Sequence, residues 1–269
     1  MAARGATCHN RGVSDFTPTP DLAFAPPEPE LQPSAGAEPG GHSAEPAQPA
    51  RPGPLAWTFW VLFFVGTFVL DSLPYLTSKE PIQPGMLDDP KMVLYSIVGV
   101  WMSLAVVLLL AWRTRLTRQD MGLVGMRLKP LLTWSLGVFA CLAITGVVPS
   151  LIWGEKLQVV EPLTRAPQGI AHWMLWIGLA ASAGLVEEIV MRGYGIGFLL
   201  RAGAKPWWAA IAMSLYFGSL HVYEGPAAVP VIALWGFFFA YSYLKTGSIL
   251  PGVIAHSMID GIAPLFVNS

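Results

Sequence analysis

From residue 55 onward, the chain is a series of apolar stretches separated by short polar segments. An α-helix needs about 20 apolar residues to cross the hydrocarbon core of a bilayer, and the stretches meet or approach that length. The predicted spans are residues 55–76, 92–112, 131–153, 172–200, 206–223, 227–244 and 248–267. Pro and Gly interrupt the last two, which membrane helices tolerate when neighbouring helices satisfy the freed backbone groups. The pattern predicts an all-α, polytopic membrane helix bundle with about seven transmembrane helices.

The N-terminal segment differs in composition from the rest of the chain. Residues 17–54 are dense in Pro, Ala, Gly and Glu and contain few large apolar side chains. Such a segment cannot bury enough apolar surface to offset the conformational entropy lost on ordering. We therefore predict a disordered tail over residues 1–53 and a membrane domain over residues 54–269. Because no apolar h-region follows Met1, the tail is not predicted to be a secretory signal.

The composition supports a membrane protein and disfavours other classes. Charged residues make up 12% of the chain and apolar residues 54%, and the mean hydropathy is +0.52. A soluble domain would carry about 25% charged residues. No basic face is rich enough to grip phosphates, so nucleic acid is not predicted as a partner. Cys8 and Cys141 lie in unrelated contexts, which argues against a disulfide framework or a thiolate metal site.

Positive charges are divided unevenly between the two sets of loops. Nine Lys or Arg residues lie before the first span or in the loops predicted on that same side of the membrane. The loops on the opposite side contain four. The larger group comprises Arg51, Arg113, Arg115, Arg118, Arg127, Lys129, Arg201, Lys205 and Lys245. Cytoplasmic loops carry the excess of Lys and Arg in membrane proteins. We therefore predict a cytoplasmic N-terminus.

The fourth predicted span contains three ionisable residues, Glu187, Glu188 and Arg192. A charge at the bilayer centre costs about 2.5–3.5 kcal/mol on insertion scales, so these residues are predicted to face the bundle interior. Glu188 and Arg192 are four positions apart and share a helical face, which predicts an ion pair. Glu187 is turned about 100° away from Glu188 and is predicted to be free for chemistry. A pair that only joins two helices would not explain this second carboxylate.

Two later spans contribute histidines and a further acid. His221 closes the stretch that begins at Phe217, although a single His near the end of a span is often only an interfacial residue. His256 and Asp260 are four positions apart in the last span and share a helical face. A His backed by a carboxylate is an oriented base or ligand, while a local hydrogen bond between two buried polar groups would explain the same spacing.

Together these residues form the inventory of a hydrolytic site. A carboxylate can take a proton from water, one His can hold that water, and another can donate to the developing oxyanion. The same groups could instead bind zinc, with Glu187, His221 and His256 as ligands and a water in the open position. The residues alone leave both chemistries open.

Three motifs resemble those of a known family. They are EExxxR at residues 187–192, FxxxH at residues 217–221 and HxxxD at residues 256–260. In order and in placement on successive apolar segments, they resemble the motifs of the CAAX prenyl protease and bacteriocin-processing (CPBP) family. The resemblance covers about residues 130–267, which we predict to be the protease core. It implies an intramembrane endopeptidase that requires no zinc.

The resemblance also implies a role for each motif residue. Glu187 and His221 would activate water. His256 and Asp260 would hold the oxyanion. Glu188 and Arg192 would support the site. Phe217 is predicted to bind substrate. In prenyl proteases an Asn stands where this chain has Asp260, and an ionised Asp cannot donate a hydrogen bond. Asp260 is either protonated by burial or orients His256; the shared helical face favours orientation.

The resemblance leaves the substrate open. Bacterial members look like processing, sorting or self-immunity proteins, so we predict a protein of the bacterial inner membrane that acts on a peptide or protein, membrane-anchored or not. One alternative is a non-catalytic regulator or bacteriocin self-immunity protein of the same fold. Another is a proton-coupled transporter, which the lack of an evident internal repeat disfavours.

Overall fold

A computed structural model describes residues 51–77, 85–153, 167–225 and 227–265 of the chain. Residues 1–50 of the predicted tail lie outside these ranges. The prediction of a disordered tail therefore stays a prediction.

Every regular element in the described ranges is helical, which confirms the predicted all-α fold. The α-helices are α1 (Pro54–Asp71), α2 (Leu73–Thr77), α3 (Pro90–Arg113), α4 (Leu128–Trp153), α5 (Gly169–Glu188), α6 (Gly197–Arg201), α7 (Pro206–Leu220), α8 (Ala228–Thr246) and α9 (Leu250–Ile262). Single 3-10 turns occur at Met86–Asp88, Val222–Glu224 and Ala263–Leu265, and a π-helical segment, Ile189–Ile196, joins α5 to α6.

Each predicted span corresponds to a helix of the bundle. Within the described ranges, five helical stretches are long and apolar enough to cross a membrane: α1, α3, the first 20 residues of α4, the continuous helix Gly169–Arg201, and α8. The other two predicted spans form the shorter helices α7 and α9, of 15 and 13 residues. The polytopic helical membrane bundle is thus confirmed. The prediction extended the fifth span to residue 223, whereas α7 ends at Leu220 because the chain turns there into a 3-10 segment.

The long helix Gly169–Arg201 changes geometry immediately after the paired glutamates. Its π-helical segment is buried throughout, whereas the apolar pattern predicted only a plain α-helix. A Cβ atom on Gly193 would lie 3.1 Å from the carbonyl oxygen of Met121, and one on Gly197 would overlap the carbonyl of Asp120. The glycines therefore let the widened helix approach the backbone of the α3–α4 loop. Such π-turns occur frequently at functional sites.

Small residues bring the helices that carry the three motifs close together. A Cβ atom on Gly184 of α5 would lie 2.7 Å from the backbone nitrogen of Ser257 in α9. A Cβ atom on Gly218 of α7 would lie 2.7 Å from the side chain of Ala233 in α8. Close approach at small residues is the usual basis of helix packing in membranes. These contacts pack α5 against α9 and α7 against α8.

Candidate active site

The interior of the site is built on the predicted ion pair between Glu188 and Arg192. Their side chains are each 1% exposed, and Arg192 Nη1 donates to Glu188 Oε1 at 2.7 Å. Arg192 Nη2 donates to the carbonyl oxygen of Gly236 at 2.9 Å. The guanidinium also lies over the rings of Phe217 and Phe239, 4.8 and 4.9 Å from their centroids. These contacts compensate a buried cation that would otherwise be very unfavourable.

The Glu188 carboxylate also holds the imidazole of His256. His256 Nδ1 lies 3.3 Å from Glu188 Oε1. Because the carboxylate paired with Arg192 has no proton to donate, it accepts the hydrogen bond from His256. Nδ1 therefore carries a proton. The ring stacks on Phe239, with centroids 4.8 Å apart. The sequence did not predict this contact, because Glu188 and His256 belong to different helices.

The opposite nitrogen of His256 faces two other carboxylates. Nε2 lies 3.7 Å from Glu187 Oε2 and 3.4 Å from Asp260 Oδ2. The side chains of Glu187 and Asp260 are 28% and 32% exposed, whereas that of His256 is 7% exposed. The two adjacent glutamates therefore differ as their helical positions predicted: Glu188 is enclosed, and Glu187 lies at the accessible edge of the site.

His221 approaches the same region from the end of α7. It is the first residue after the helix, and its Nδ1 lies 2.8 Å from the carbonyl oxygen of Phe217. Because a carbonyl oxygen only accepts, Nδ1 is the protonated nitrogen, and Nε2 keeps a lone pair in the neutral ring. The His221 imidazole is within electrostatic range of Asp260 and Asp71. The structure thus brings all three motifs together.

Phe217, which was predicted to bind substrate, lies in the interior of the site. Its side chain is 1% exposed, and its ring lies 4.7 Å from the ring of His221 and 5.9 Å from that of His256. A ring enclosed in this way has no free surface to offer a substrate. The predicted substrate contact is therefore not supported, and Phe217 instead packs between the two histidines and Arg192.

Residues at the end of α1 were not predicted to belong to the site. Asp71 is within electrostatic range of Glu187 and His221. Its neighbour Ser72 is fully buried, and Ser72 Oγ donates to the carbonyl oxygen of Ser219 at 3.1 Å. This bond satisfies a carbonyl in the last turn of α7, where the backbone carbonyls have no N–H partner within the helix. The available signal was an acid at the end of an apolar span.

Glu224 is a further acid beside the site. It is half-buried in the 3-10 turn after His221. Burial raises the pKa of the Glu224 carboxyl, while the nearby His221 and a hydrogen bond with Tyr223 act in the opposite direction. The turn therefore adds a further acid beside His221.

Within the part of the chain that the structure describes, the donors are not arranged as a metal centre. Among the described residues, no three His, Cys, Asp or Glu side chains are grouped so that they could hold a metal ion. This includes Glu187, His221 and His256, the three ligands considered for zinc. We therefore derive no catalytic step through a metal.

Gly252 of α9 offers a test of how tightly the buried carboxylate is held. A Cβ atom there would lie 2.6 Å from Glu188 Oε2, whereas a Cβ atom on Gly261 of the same helix would meet nothing within 4 Å. We expect Gly252→Ala to destabilise the protein by about 1–3 kcal/mol through overpacking. Gly261→Ala should be neutral or slightly stabilising, because Ala is the better helix former. Thermal unfolding in detergent measures both; equal melting temperatures would show that Glu188 is not confined.

Comparison with known proteins identifies the segment that carries these residues. Residues 169–262, about a third of the chain, match the family model described as Type II CAAX prenyl endopeptidase Rce1-like. The matched segment contains all three motifs and runs from α5 to the end of α9. This match confirms the resemblance predicted from the motifs. Comparisons with curated proteins and with solved structures found no match.

Proposed function

We propose, on the premise that residues 169–262 form an Rce1-like endopeptidase core, that this integral membrane protein hydrolyses a peptide bond near the membrane interface. One observation carries the proposal most directly. Glu187 and Asp260 both face Nε2 of His256, while the Glu188–Arg192 pair holds the opposite side of the ring. Two partly exposed carboxylates around one imidazole nitrogen form a polar edge at which water and a peptide carbonyl can meet.

In the proposed reaction, Glu187 acts as general base with His221. Glu187 is the more exposed of the adjacent glutamates, and the lone pair of His221 Nε2 can accept a hydrogen bond from water. As the water oxygen attacks the peptide carbonyl carbon, its proton passes to Glu187. The carbonyl π-bond electrons move to oxygen and form an oxyanion. When the C–N bond then breaks, the proton passes to the leaving amine.

His256 is proposed to act as an imidazolium, which donates Nδ1–H to Glu188 and Nε2–H to the oxyanion. The Nδ1 contact with Glu188 fixes the orientation of the ring, so Nε2 is directed towards the reacting groups. Glu188 and Arg192 support this arrangement without contacting the substrate. Donors that are fixed before the reaction stabilise developing charge without reorganisation.

The position of Asp260 changes the role that we assign to it. The helical spacing favoured an Asp260 that orients His256, but Glu188 occupies Nδ1, the nitrogen opposite the reactive edge. Asp260 instead lies on the Nε2 side, where the oxyanion would form. We therefore assign Asp260 the donor role, in which its protonated carboxyl group hydrogen-bonds the oxyanion. Spacing of four residues predicts that the side chains are near, but not which ring nitrogen faces the acid.

Asp260→Asn tests the donor role through the pH dependence of turnover. If residue 260 must be protonated to donate, wild-type activity falls as rising pH ionises Asp260. The amide of Asn donates at every pH, so the variant should keep activity and lose this alkaline decline. Asp260→Ala removes the donor and should lower the turnover rate by about 10²–10³. Superimposable pH–rate profiles of wild type and Asp260→Asn would contradict the donor role.

The proposed substrate is a peptide or protein segment that reaches the site at the bilayer surface. The proteome of a deletion strain is compared with that of a strain carrying Glu187→Ala. We expect the same peptide termini to be lost in both, because both lack hydrolysis. Termini lost in the deletion strain alone would favour the non-catalytic regulator or self-immunity protein of the same fold.

The proposed location is the bacterial inner membrane, with the N-terminus in the cytoplasm. The support is the excess of Lys and Arg between α3 and α4 and in the loops of equal parity. Single cysteines introduced in the α3–α4 loop should resist membrane-impermeant thiol reagents in intact cells. Strong labelling of that loop from outside would reverse the proposed orientation.

A further inference from the structure

The loop between α3 and α4 carries a concentration of positive charge at one end of the bundle. Residues 113–129 contain five basic residues and a single acid, Asp120. The basic residues are Arg113, Arg115, Arg118, Arg127 and Lys129, and all are exposed. The loop adjoins the end of α3, one of the helices long and apolar enough to cross a membrane. Its charges therefore lie near the level of the lipid headgroups.

The one acid in this loop, Asp120, already has hydrogen-bond and ion-pair partners. Asp120 Oδ2 accepts hydrogen bonds from the backbone nitrogen and the hydroxyl of Thr117, at 2.7 and 2.9 Å. It also forms a 2.7 Å ion pair with Arg201 at the end of α6. The negative charge of Asp120 is thus compensated by an arginine outside the loop. Among the described residues, no acid compensates the five basic residues of the loop.

The arginines next to α3 are not needed to cap that helix. The backbone nitrogens of Thr114, Arg115 and Leu116 donate to the carbonyls of Leu110, Trp112 and Ala111, respectively. These bonds satisfy carbonyls that would otherwise lack partners at the helix end. Arg115 has a left-handed backbone conformation, with φ of 56°, that is rare for a long side chain. Arg201 Nη1 donates to the carbonyl oxygen of Arg115 at 2.6 Å and so stabilises the turn.

A cleft of about 470 Å³ opens at this turn, lined by Trp112, Arg113, Arg115 and Leu116. Trp112 is 68% exposed, and the guanidinium carbon of Arg113 lies 5.2 Å from the centroid of the Trp112 ring. Trp is enriched where a membrane meets water, because its ring is apolar and its N–H is polar. The cleft therefore combines two cations with an apolar wall at the end of a membrane helix.

We propose that this cleft binds the headgroup of an anionic phospholipid. Arg113 and Arg115 would hold the phosphodiester, since guanidinium groups form paired hydrogen bonds with phosphate oxygens. Trp112 and Leu116 would contact the glycerol and the upper part of the acyl chains. Basic segments beside a transmembrane helix attract anionic lipids. The proposal is independent of the peptidase activity, because the cleft lies outside the three motifs.

The lipid site is tested with two double variants that remove the same charge from the same loop. Arg113→Gln with Arg115→Gln alters the cleft, whereas Arg118→Gln with Arg127→Gln leaves its lining intact. Retention of phosphatidylglycerol on detergent-purified protein is measured by native mass spectrometry, with phosphatidylcholine as the neutral reference. We expect roughly a tenfold loss from the first variant and less than about a threefold loss from the second. Equal losses, or no preference of the wild type for phosphatidylglycerol, would overturn the proposal.

A second measurement uses the unmodified sequence, and so does not depend on whether a variant folds. Phenylglyoxal modifies exposed arginines, and mass spectrometry reports the rate at each position. In vesicles with phosphatidylglycerol, modification of Arg113 and Arg115 should slow several-fold more than that of Arg118 and Arg127, relative to phosphatidylcholine vesicles. Uniform protection of all four would indicate general surface attraction and contradict a defined site. Equal protection of Arg113 and Arg115 by inorganic phosphate in phosphatidylcholine vesicles would contradict recognition of a lipid.

Discussion

Glu187→Gln is expected to lower the turnover rate by about 10²–10⁴, the usual contribution of a general base. Gln keeps the size and shape of the side chain but cannot take a proton from water. Because the Glu187 side chain is 28% exposed and is not part of the Glu188–Arg192 pair, expression and thermal stability should remain close to those of the wild type. The assay uses a substrate identified from the lost peptide termini.

The result depends on activity and stability being measured on the same preparation. A variant that melts like the wild type and turns over at a rate within about twofold of it would remove Glu187 from the proposed chemistry. A variant that loses both activity and stability would contradict the position of Glu187 at the accessible edge of the site. A loss of turnover alone is the expected outcome.

Glu188→Gln is expected to destabilise the fold by about 3–5 kcal/mol, the cost of breaking a buried ion pair by changing one partner. The two side chains of the pair are each 1% exposed, so water cannot compensate the charge left on Arg192. The carbonyl of Gly236 and the flanking aromatic rings would remain as partners of Arg192, but none of them is an anion. Denaturant or thermal unfolding in detergent measures the loss.

Glu187→Gln is the matched control for this second prediction. The two variants make the same chemical change at adjacent positions, but only the one at position 188 changes the carboxylate that contacts both Arg192 and Nδ1 of His256. Equal stability of the two variants would show that the Glu188–Arg192 pair does not hold the bundle together. Activity should fall in both variants. In Glu188→Gln it should fall because less protein is folded and because His256 loses the contact that orients its ring.

The sequence alone determined the features of this protein that depend on local pattern. The length and apolarity of the stretches after residue 55 predicted the helices, since a helix that satisfies its own backbone is the structure favoured in lipid. Spacing of four residues predicted the Glu188–Arg192 contact and the proximity of His256 to Asp260, and both contacts are present. The turn of about 100° between adjacent helical residues separated buried Glu188 from accessible Glu187.

The tertiary structure decided how the helices share the polar groups. Glu188 contacts His256 across two helices, and this contact places Asp260 on the other ring nitrogen. Ser72 supports the last turn of α7 from α1, and Phe217 is enclosed by neighbours from other helices. The physical reason is that helical periodicity fixes only which residues share a face of one helix. Which faces meet, and which atom of a ring faces each acid, depends on packing between segments distant in sequence.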